Sequence, residues 1–409
     1  MRNFLLVNFK NTFLIVLACL FSLGSCQSQK KELIKTPIQT GETKAPLIVV
    51  GANQTEEYLH LLKEKTIGIV ANQTSVIFND AGFTHLVDSL NTLNIDIKKV
   101  FAPEHGFRGK ADAGEHITNG KDPKTGIDII SIYGKNKKPS NEQVAGLDLI
   151  VFDIQDVGAR FYTYISSLHY VMEACAENNI PMLILDRPNP NGHYTDGPIL
   201  ELEHKSFVGM HPIPVVHGMT IGEYAQMING EKWLNNEIQC DITTIKCENY
   251  NKQIAYSLPI KPSPNLPNDV SINLYPSLCF FEGTTVSVGR GTELQFQIYG
   301  APYLPKTDFN FTPKPNEGAK YPKHENKVCY GKDLSKTGKL DSLNLEWLSN
   351  AYNLSTDKET FFNNFFTKLA GTKKLQQQIV SGMNYEDIKK SWAIGLHEYN
   401  EMRKPYLLY

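Results

Sequence analysis

The sequence has no excess of charge of either sign, and this absence argues against one class of partner. Lys and Arg together number 41, and Asp and Glu number 43, so the formal net charge is −2. Proteins that bind nucleic acid through its phosphates usually carry a basic surplus. Composition therefore gives no reason to expect nucleic acid as a partner.

Nucleotide-binding and metal-binding patterns are also missing. The chain has no GxGxxG motif, so a Rossmann-like sheet here need not bind a dinucleotide. Beyond residue 26 there is no CxxC pair and no zinc-ligand spacing among the five cysteines, Cys175, Cys240, Cys247, Cys279 and Cys329. We expect no cofactor and no metal. Cys240 and Cys247 could pair in an oxidising compartment, or all five could be buried free thiols.

What the N-terminus does have is an export signal. Arg2 and Lys10 are followed by the apolar run Phe13–Phe21, which is too short to span a bilayer as a mature helix. The next segment, LGSC, ends at Cys26 and resembles a bacterial lipobox, in which the cysteine is lipidated. We expect a signal peptide over 1–25, a polar tether over 26–47, and a lipid anchor at Cys26. The protein would then be exported and held in the bacterial envelope, in the periplasm or at the outer membrane. An ordinary signal peptide is the alternative.

From residue 66 onward, short apolar runs alternate with helical patterns. The runs typical of strands are Ile67–Ala71, Val100–Ala102, Ile127–Ile132, Leu149–Ile154 and Met182–Leu185. Apolar residues recur at helical spacing between Ile165 and Cys175, and Thr220 with Glu223 forms a capping-box pattern. The alternation predicts an α/β fold. We expect a Rossmann-like, mostly parallel domain over 48–200 and a smaller mixed α+β domain over 201–409 that completes the cleft.

Polar residues follow each predicted strand, and in open parallel sheets ligands bind beyond the carboxyl ends of the strands. Glu104 stands out because it follows an apolar strand and precedes Gly106, at a partly desolvated rim. Burial raises the pKa of a carboxyl group, as a general acid requires. The alternative is a turn carboxylate paired with Arg108. Glu115, in a Gly-containing segment, is a weaker candidate.

The other strand ends supply further candidates, each with a structural alternative. Asp153 and Asp156 could provide a second carboxylate, or could hold Arg160 and cap a helix. Asp186 could instead form an ion pair with its neighbour Arg187. Further polar residues near the same rim are His105, Asn72, Tyr164 and Asn189. His217 precedes a helix in the second half of the chain and could reach the cleft or be an ordinary loop histidine.

Arg290 is the candidate in the second half of the chain. It lies between Gly289 and Gly291, and flanking glycines allow a close approach to a ligand. A guanidinium in such a loop suits a carboxylate, which it can bind with two hydrogen bonds.

Six segments together resemble the exo-β-N-acetylmuramidases of NamZ type. In order they are APEHGFRGKADAGE, DLIVFDIQDVGARFYTYI, LDRPNPNG, SFVGMHPIPVVHGMTIGE, SPNLP and FEGTTVSVGRGTE, spanning residues 102–293. A small departure is His193, where the family pattern has a second glycine. The resemblance implies a glycoside hydrolase that releases N-acetylmuramic acid from the non-reducing end of peptidoglycan fragments. It also implies a site between two domains, with Glu104 as the family's usual catalytic residue.

The resemblance leaves the chemistry of the second step open. The second catalytic group could be Asp153, Asp156 or Glu115 acting on water, or the 2-acetamido group of the substrate itself. Arg290 or Arg160 could bind the lactyl carboxylate that distinguishes muramic acid. A peptidoglycan-binding lipoprotein without turnover is the main alternative. A metal-dependent hydrolase using Glu104, His105, Asp112 and His116 is the weakest, because these residues lie too close in sequence for a known ligand spacing.

Overall fold

The computed structural model describes residues 47–109, 115 and 119–409. The expected signal peptide, the tether before residue 47 and the expected lipidation site Cys26 lie outside the described residues, as do Asp112 and His116. The described strands are β1 (Thr66–Ala71), β2 (Val76–Asn79), β3 (Gly82–His85), β4 (Asp96–Ala102), β5 (Gly120–Lys121), β6 (Asp128–Ser131), β7 (Leu149–Asp153), β8 (Met182–Leu185), β9 (Ile242–Ile245), β10 (Ile298–Ala301), β11 (Asn310–Phe311) and β12 (Cys329–Asp333).

Helices cover much of the rest of the described chain. They are α1 (Thr55–Leu62), α2 (Leu86–Thr92), α3 (Asn141–Val144), α4 (Tyr164–Glu177), α5 (Ile221–Gly230), α6 (Asp269–Leu278), α7 (Glu346–Leu354), α8 (Asn364–Ala370), α9 (Lys374–Val380), α10 (Tyr385–Lys390) and α11 (Ala393–Arg403). The predicted capping box of α5 is present, since the Thr220 hydroxyl accepts from the Glu223 amide and the Glu223 carboxylate accepts from the Thr220 amide. No described helix is both long and apolar enough to cross a membrane.

A seven-stranded sheet organises the chain, in the order β5-β6-β4-β1-β7-β8-β9. All of its pairings are parallel except that of β5 with β6. The central strands β7 and β8 are buried at every position, because helices and loops cover both faces. The predicted mostly parallel α/β fold is thus confirmed. Strand β4 begins four residues earlier than its apolar run, since Lys98 and Lys99 interrupt the pattern without interrupting the pairing.

Past residue 200 the chain first completes this sheet and then builds a second one. Strand β9 pairs with β8, and α5 packs against α4, so the boundary expected near residue 200 falls within the segment that forms the large sheet. The second sheet has the order β10-β12-β11 and is antiparallel. The expected smaller C-terminal part with mixed helices and strands is confirmed.

Five cysteines lie among the described residues, and all are buried free thiols. Cys240 and Cys247 do not form a disulfide bond, so the alternative of buried free thiols is confirmed. The core consists of two apolar clusters, the larger of which includes α4, α5 and α6 and the smaller of which includes α1 and α2.

Candidate active site

A cavity of about 760 Å³ opens beyond the carboxyl ends of β4 and β6. One part of the lining, here called the first wall, carries Glu104, His105, Tyr133 and Thr163, and another part, the second wall, comes from segments after α6. The remaining lining residues include Phe161, Tyr162, Phe207, Ser263, Asn265, Tyr275, Ser287, Phe296, Tyr321, Pro322 and Lys323. The cavity therefore combines many aromatic side chains with a few charged ones, as sites for small polar ligands commonly do.

A tight turn directs Glu104 into this cavity. The Gly106 amide donates to the Pro103 carbonyl, so Glu104 is the second residue of a turn just after β4. His105 has a φ of 70°, a left-handed conformation that His adopts more readily than most residues. Both Glu104 and His105 line the cavity, as the sequence predicted.

Two hydroxyl groups hold the Glu104 carboxyl, one at each oxygen. The Tyr133 hydroxyl donates to Oε1 at 2.9 Å, and the Thr163 hydroxyl donates to Oε2 at 2.8 Å. Burial, and then the nearby Glu104 charge, raise the pKa of Tyr133 far above its usual range. Tyr133 therefore keeps its proton and remains a donor. Arg108, the alternative partner of Glu104, instead pairs with Asp88 and Asp122.

The second wall carries an ion pair between Glu282 and Arg290. Arg290 Nε donates to Glu282 Oε1 at 2.5 Å, and both side chains keep more than a fifth of their surface exposed. Burial by itself would lower the pKa of Arg290. The negative charge of Glu282 and the hydrogen bond to it have the larger combined effect, so the pKa of Arg290 lies above its usual value. Gly289 and Gly291 both have a φ of 78°, so they allow the turn that brings Arg290 to the cavity.

Lys323 lines the cavity on the same wall as this ion pair. Its ammonium donates to the backbone carbonyls of Phe281, Thr284 and Val286. Burial lowers the pKa of Lys323 to about 8, with a further lowering by Arg290 and an opposing effect of Glu282. The second wall thus holds two cationic groups and one carboxylate.

Asp153 does not reach the cavity, contrary to its expected catalytic role. Its side chain is fully buried, and both oxygens accept from Arg187, at 2.6 Å from Nε and 2.9 Å from Nη2. Because the Arg187 side chain pairs with Asp153, the expected ion pair between Asp186 and Arg187 is not formed. Asp186 instead accepts from Thr220, from the Gly222 amide and from Tyr409, and burial raises its pKa to about 6.

Three other residues that were expected to bind substrate instead form contacts within the protein interior. Asp156 accepts from the Gly158 amide and lies 3.5 Å from His217 Nε2, and both side chains are buried. Asn189 donates to the Met219 carbonyl and accepts from the Asn191 amide. None of Asp156, Asn189 and His217 is among the described residues that line the cavity.

Arg160 is likewise structural, contrary to its expected contact with substrate. Its side chain is fully buried, and its terminal nitrogens donate to four backbone carbonyls, those of Pro198, Ile213, Leu369 and Ala370. Burial lowers its pKa to about 9. Arg160 thus ties the start of α4 to the end of α8 rather than facing a ligand.

Asn72 and Tyr164 lie one layer behind Glu104. Asn72 donates to the Tyr164 hydroxyl at 2.9 Å, and that hydroxyl approaches the Glu104 carbonyl at 3.5 Å. They support the turn and do not line the cavity. Glu115 accepts from Lys320 at 2.6 Å, next to the lining residues Ala319 and Tyr321, so it lies near the mouth.

Sequence reasoning assigned no role to Glu282, Tyr133, Thr163 or Lys323. Glu282 lies in the segment FEGTTVSVGRGTE and Thr163 lies in DLIVFDIQDVGARFYTYI. Both segments resemble the family, but the resemblance does not assign a role to each of their residues. Tyr133 follows a predicted strand, which was the available signal. Nothing in the sequence marks Lys323.

One group of potential metal ligands occurs among the described residues, away from the cavity. Glu201, Glu203 and His204 offer ligand atoms within 4.8 Å of one another. Glu201 is already paired with Lys374. The cavity walls themselves offer two carboxylates bound to hydroxyls or to a guanidinium, which suits sugar chemistry better than a metal.

Comparisons with known proteins agree on one family. The family model described as exo-β-N-acetylmuramidase NamZ, N-terminal, matches residues 67–270, and the corresponding C-terminal model matches residues 273–409. The chain is 36% identical to the peptidoglycan β-N-acetylmuramidase NamZ of Bacillus subtilis, over 97% of this chain and 98% of that protein.

Two crystal structures of DUF1343 family proteins from Bacteroides fragilis are also similar. The first is 46% identical, with a TM-score of 0.82, and the match covers 89% of this chain and 99% of the other. The second is 27% identical, with a TM-score of 0.73, and the match covers 88% and 99%.

Proposed function

This chain belongs to the NamZ family of exo-β-N-acetylmuramidases, and from that premise we propose that it releases N-acetylmuramic acid from the non-reducing end of peptidoglycan fragments. It is thus a glycoside hydrolase whose substrate is a muropeptide or a disaccharide derived from cell wall. The observation that carries the proposal is the carboxyl of Glu104 in a sugar-sized cavity, held at both oxygens by hydroxyl groups.

Glu104 is the general acid in this proposal. A hydroxyl group can accept as well as donate, so Tyr133 and Thr163 can hold the carboxyl in either protonation state. Protonation of the glycosidic oxygen by Glu104 lets the leaving sugar depart as an alcohol. His105, on the same turn, is available to donate to a sugar hydroxyl.

We assign the second catalytic role to the 2-acetamido group of the substrate. Asp153 is buried in an ion pair with Arg187, and Asp156 is buried and accepts a hydrogen bond from the Gly158 amide. Glu115 accepts from Lys320 near the mouth. Some N-acetylhexosaminidases use the acetamido oxygen of the substrate as the nucleophile, and then no second protein carboxylate has to attack.

Arg290 recognises the lactyl ether that distinguishes N-acetylmuramic acid from N-acetylglucosamine. That ether ends in a carboxylate, and a buried carboxylate requires a cationic partner. Arg290 lines the cavity and keeps part of its side chain exposed there, whereas Arg160 is enclosed by carbonyls.

The direct test is to incubate the purified protein with a β-linked N-acetylmuramyl–N-acetylglucosamine disaccharide. We expect release of both free sugars, in the presence and absence of a chelator. Tight binding without release would instead support a peptidoglycan-binding lipoprotein, and loss of activity on chelation would support the metal-dependent alternative.

We also propose that the protein is exported and lipid-anchored at Cys26, on the basis of the preceding LGS segment. A lipidated protein with more than one acyl chain associates firmly with membranes. Cys26→Ser should therefore release soluble or unprocessed protein on cell fractionation. A variant that fractionates with membranes as wild type does, at the same mature mass, would contradict the lipid anchor.

A further inference from the structure

Glu282 is the second carboxylate on the described walls of the cavity, and its contacts indicate what it does. It lies in the short turn after α6, eight residues before Arg290, and the two side chains meet through Nε and Oε1 at 2.5 Å. Neither side chain is fully exposed, so the contact is poorly screened by solvent. Such a pair is held more firmly than an ion pair on an open surface.

The way Arg290 is held leaves the binding end of its guanidinium available. Only Nε donates to a described residue, and neither terminal nitrogen forms a hydrogen bond within the part of the chain that the structure describes. The side chain lines the cavity, with Cζ 5.1 Å from the centroid of the Phe296 ring. Glu282 therefore fixes one edge and Phe296 one face, while the two terminal nitrogens can bind a carboxylate with two parallel hydrogen bonds.

The segment that carries Glu282 is itself anchored. Lys323 donates to the carbonyls of Phe281, Thr284 and Val286, which lie on both sides of Glu282. With Arg290 and Lys323 positive and Glu282 negative, this wall keeps one net positive charge. The wall therefore attracts an anionic group even though it contains a carboxylate.

From these contacts we propose that Glu282 is a positioning residue for substrate recognition, which holds Arg290 so that its terminal nitrogens bind the lactyl carboxylate. Glu282 is then not a second catalytic carboxylate, although it lines the cavity. The inference rests on the proposed function, because it assigns specificity within that same site.

The test compares three substitutions at one position. Glu282→Gln keeps the length and an oxygen that accepts from Nε, but loses the charge. Glu282→Asp keeps the charge but withdraws the carboxylate by one methylene. Glu282→Ala removes the contact, and Glu293→Ala serves as the control, because Glu293 is an exposed glutamate in the same segment.

The readouts are the inhibition constants of free N-acetylmuramic acid and free N-acetylglucosamine, together with kcat and KM for the muramyl disaccharide. For Glu282→Ala we expect N-acetylmuramic acid to bind up to about 100-fold more weakly, since misplacing a binding group by about 1 Å can cost that much. N-acetylglucosamine should be affected much less. Glu282→Gln should retain more of the preference than Glu282→Asp, and Glu293→Ala should match wild type.

Two results would overturn the positioning role. One is an unchanged ratio of the two inhibition constants in Glu282→Ala. The other is a large loss of kcat in Glu282→Gln with better retention in Glu282→Asp, which would make Glu282 a catalytic carboxylate. Thermal unfolding of each variant identifies any loss that comes from misfolding. A wild-type protein that fails to cleave the disaccharide would instead contradict the proposed function itself.

Discussion

The two walls of the cavity hold their carboxylates in different ways. On the first wall, the oxygens of Glu104 accept from the hydroxyl groups of Tyr133 and Thr163. On the second wall, Glu282 is bound by the guanidinium of Arg290, with Lys323 nearby. A hydroxyl can donate or accept, whereas a guanidinium can only donate. The hydroxyls of the first wall can therefore hold a carboxyl group that carries a proton as well as one that does not, whereas the guanidinium of the second wall can only donate to an acceptor.

This difference suggests that the two walls have different functions. In the proposed function, proton transfer belongs to the wall that carries Glu104, and recognition of the lactyl carboxylate belongs to the wall that carries Arg290. A substitution on the first wall should lower kcat for every substrate. A substitution on the second wall should change which sugars bind.

The largest effect is expected at Glu104. Glu104→Gln should fold normally and lose about 100- to 10,000-fold in kcat on the muramyl disaccharide, the usual loss when an acid–base catalyst is removed. An aryl muramide with a good leaving group should be affected less, since it needs little protonation. The measurement is steady-state kinetics on both substrates, with circular dichroism to verify folding. Disaccharide cleavage close to the wild-type rate would remove Glu104 from this role.

The next largest effect is expected at Arg290. Arg290→Ala should lower kcat/KM for an aryl muramide about 100-fold, the order expected when one partner of a buried charge pair is truncated. The matched glucosaminide should change little, because it has no lactyl carboxylate. Arg290→Lys should recover only part of the preference, since the fork geometry is lost. An unchanged preference in Arg290→Ala would place the lactyl contact on another group.

Two features of this site could be predicted from the sequence because the chain carries local signals for them. The apolar run before Glu104 predicted a strand end, and the turn at Gly106 predicted where its side chain would go. The glycines around Arg290 indicated a loop at the site, and Arg290 does line the cavity, while its close approach to a ligand stays a prediction. In both cases the neighbouring residues along the chain set the geometry, so no knowledge of distant contacts was needed.

Asp153 and Arg160 were expected at the site but are buried elsewhere, because their hydrogen-bond partners come from distant parts of the chain. Asp153 ends a strand just as Ala102 does shortly before Glu104, but Arg187 from the end of the next strand takes up both of its oxygens. Arg160 follows a strand too, but its acceptors lie as far away as Ala370. Periodicity shows where a strand ends, but it does not show which polar groups will pair with one another.

A moderate effect is expected from the hydroxyl groups that hold Glu104. Thr163→Val and Tyr133→Phe each remove one donor while keeping the shape of the side chain. Because the proposed general acid is a protonated carboxyl, each hydrogen bond contributes about 0.5–1.5 kcal/mol, so each variant should lose roughly 2- to 12-fold in kcat. The loss should be similar for muramyl and glucosaminyl substrates, since the proposal assigns the lactyl contact to Arg290 on the other wall. A selective loss for muramyl substrates would contradict the division between the walls.

The smallest effect is expected from the charge of Lys323, which tests the second wall without touching Arg290. Burial lowers the pKa of this ammonium to about 8, so the wall loses a positive charge as the pH rises through that value. A carboxylate ligand should therefore bind more weakly above pH 8 than below it. For partly screened charges the change should be about fivefold. The inhibition constant of N-acetylmuramic acid, measured from pH 6.5 to 9.5, should rise across this range, while that of N-acetylglucosamine should stay flat. Lys323→Met should bind N-acetylmuramic acid at all pH values at least as weakly as wild type does at pH 9.5, because it loses the charge and also the three hydrogen bonds that anchor the segment around Glu282. A pH-dependent rise that persists in Lys323→Met would show that another group on the walls titrates.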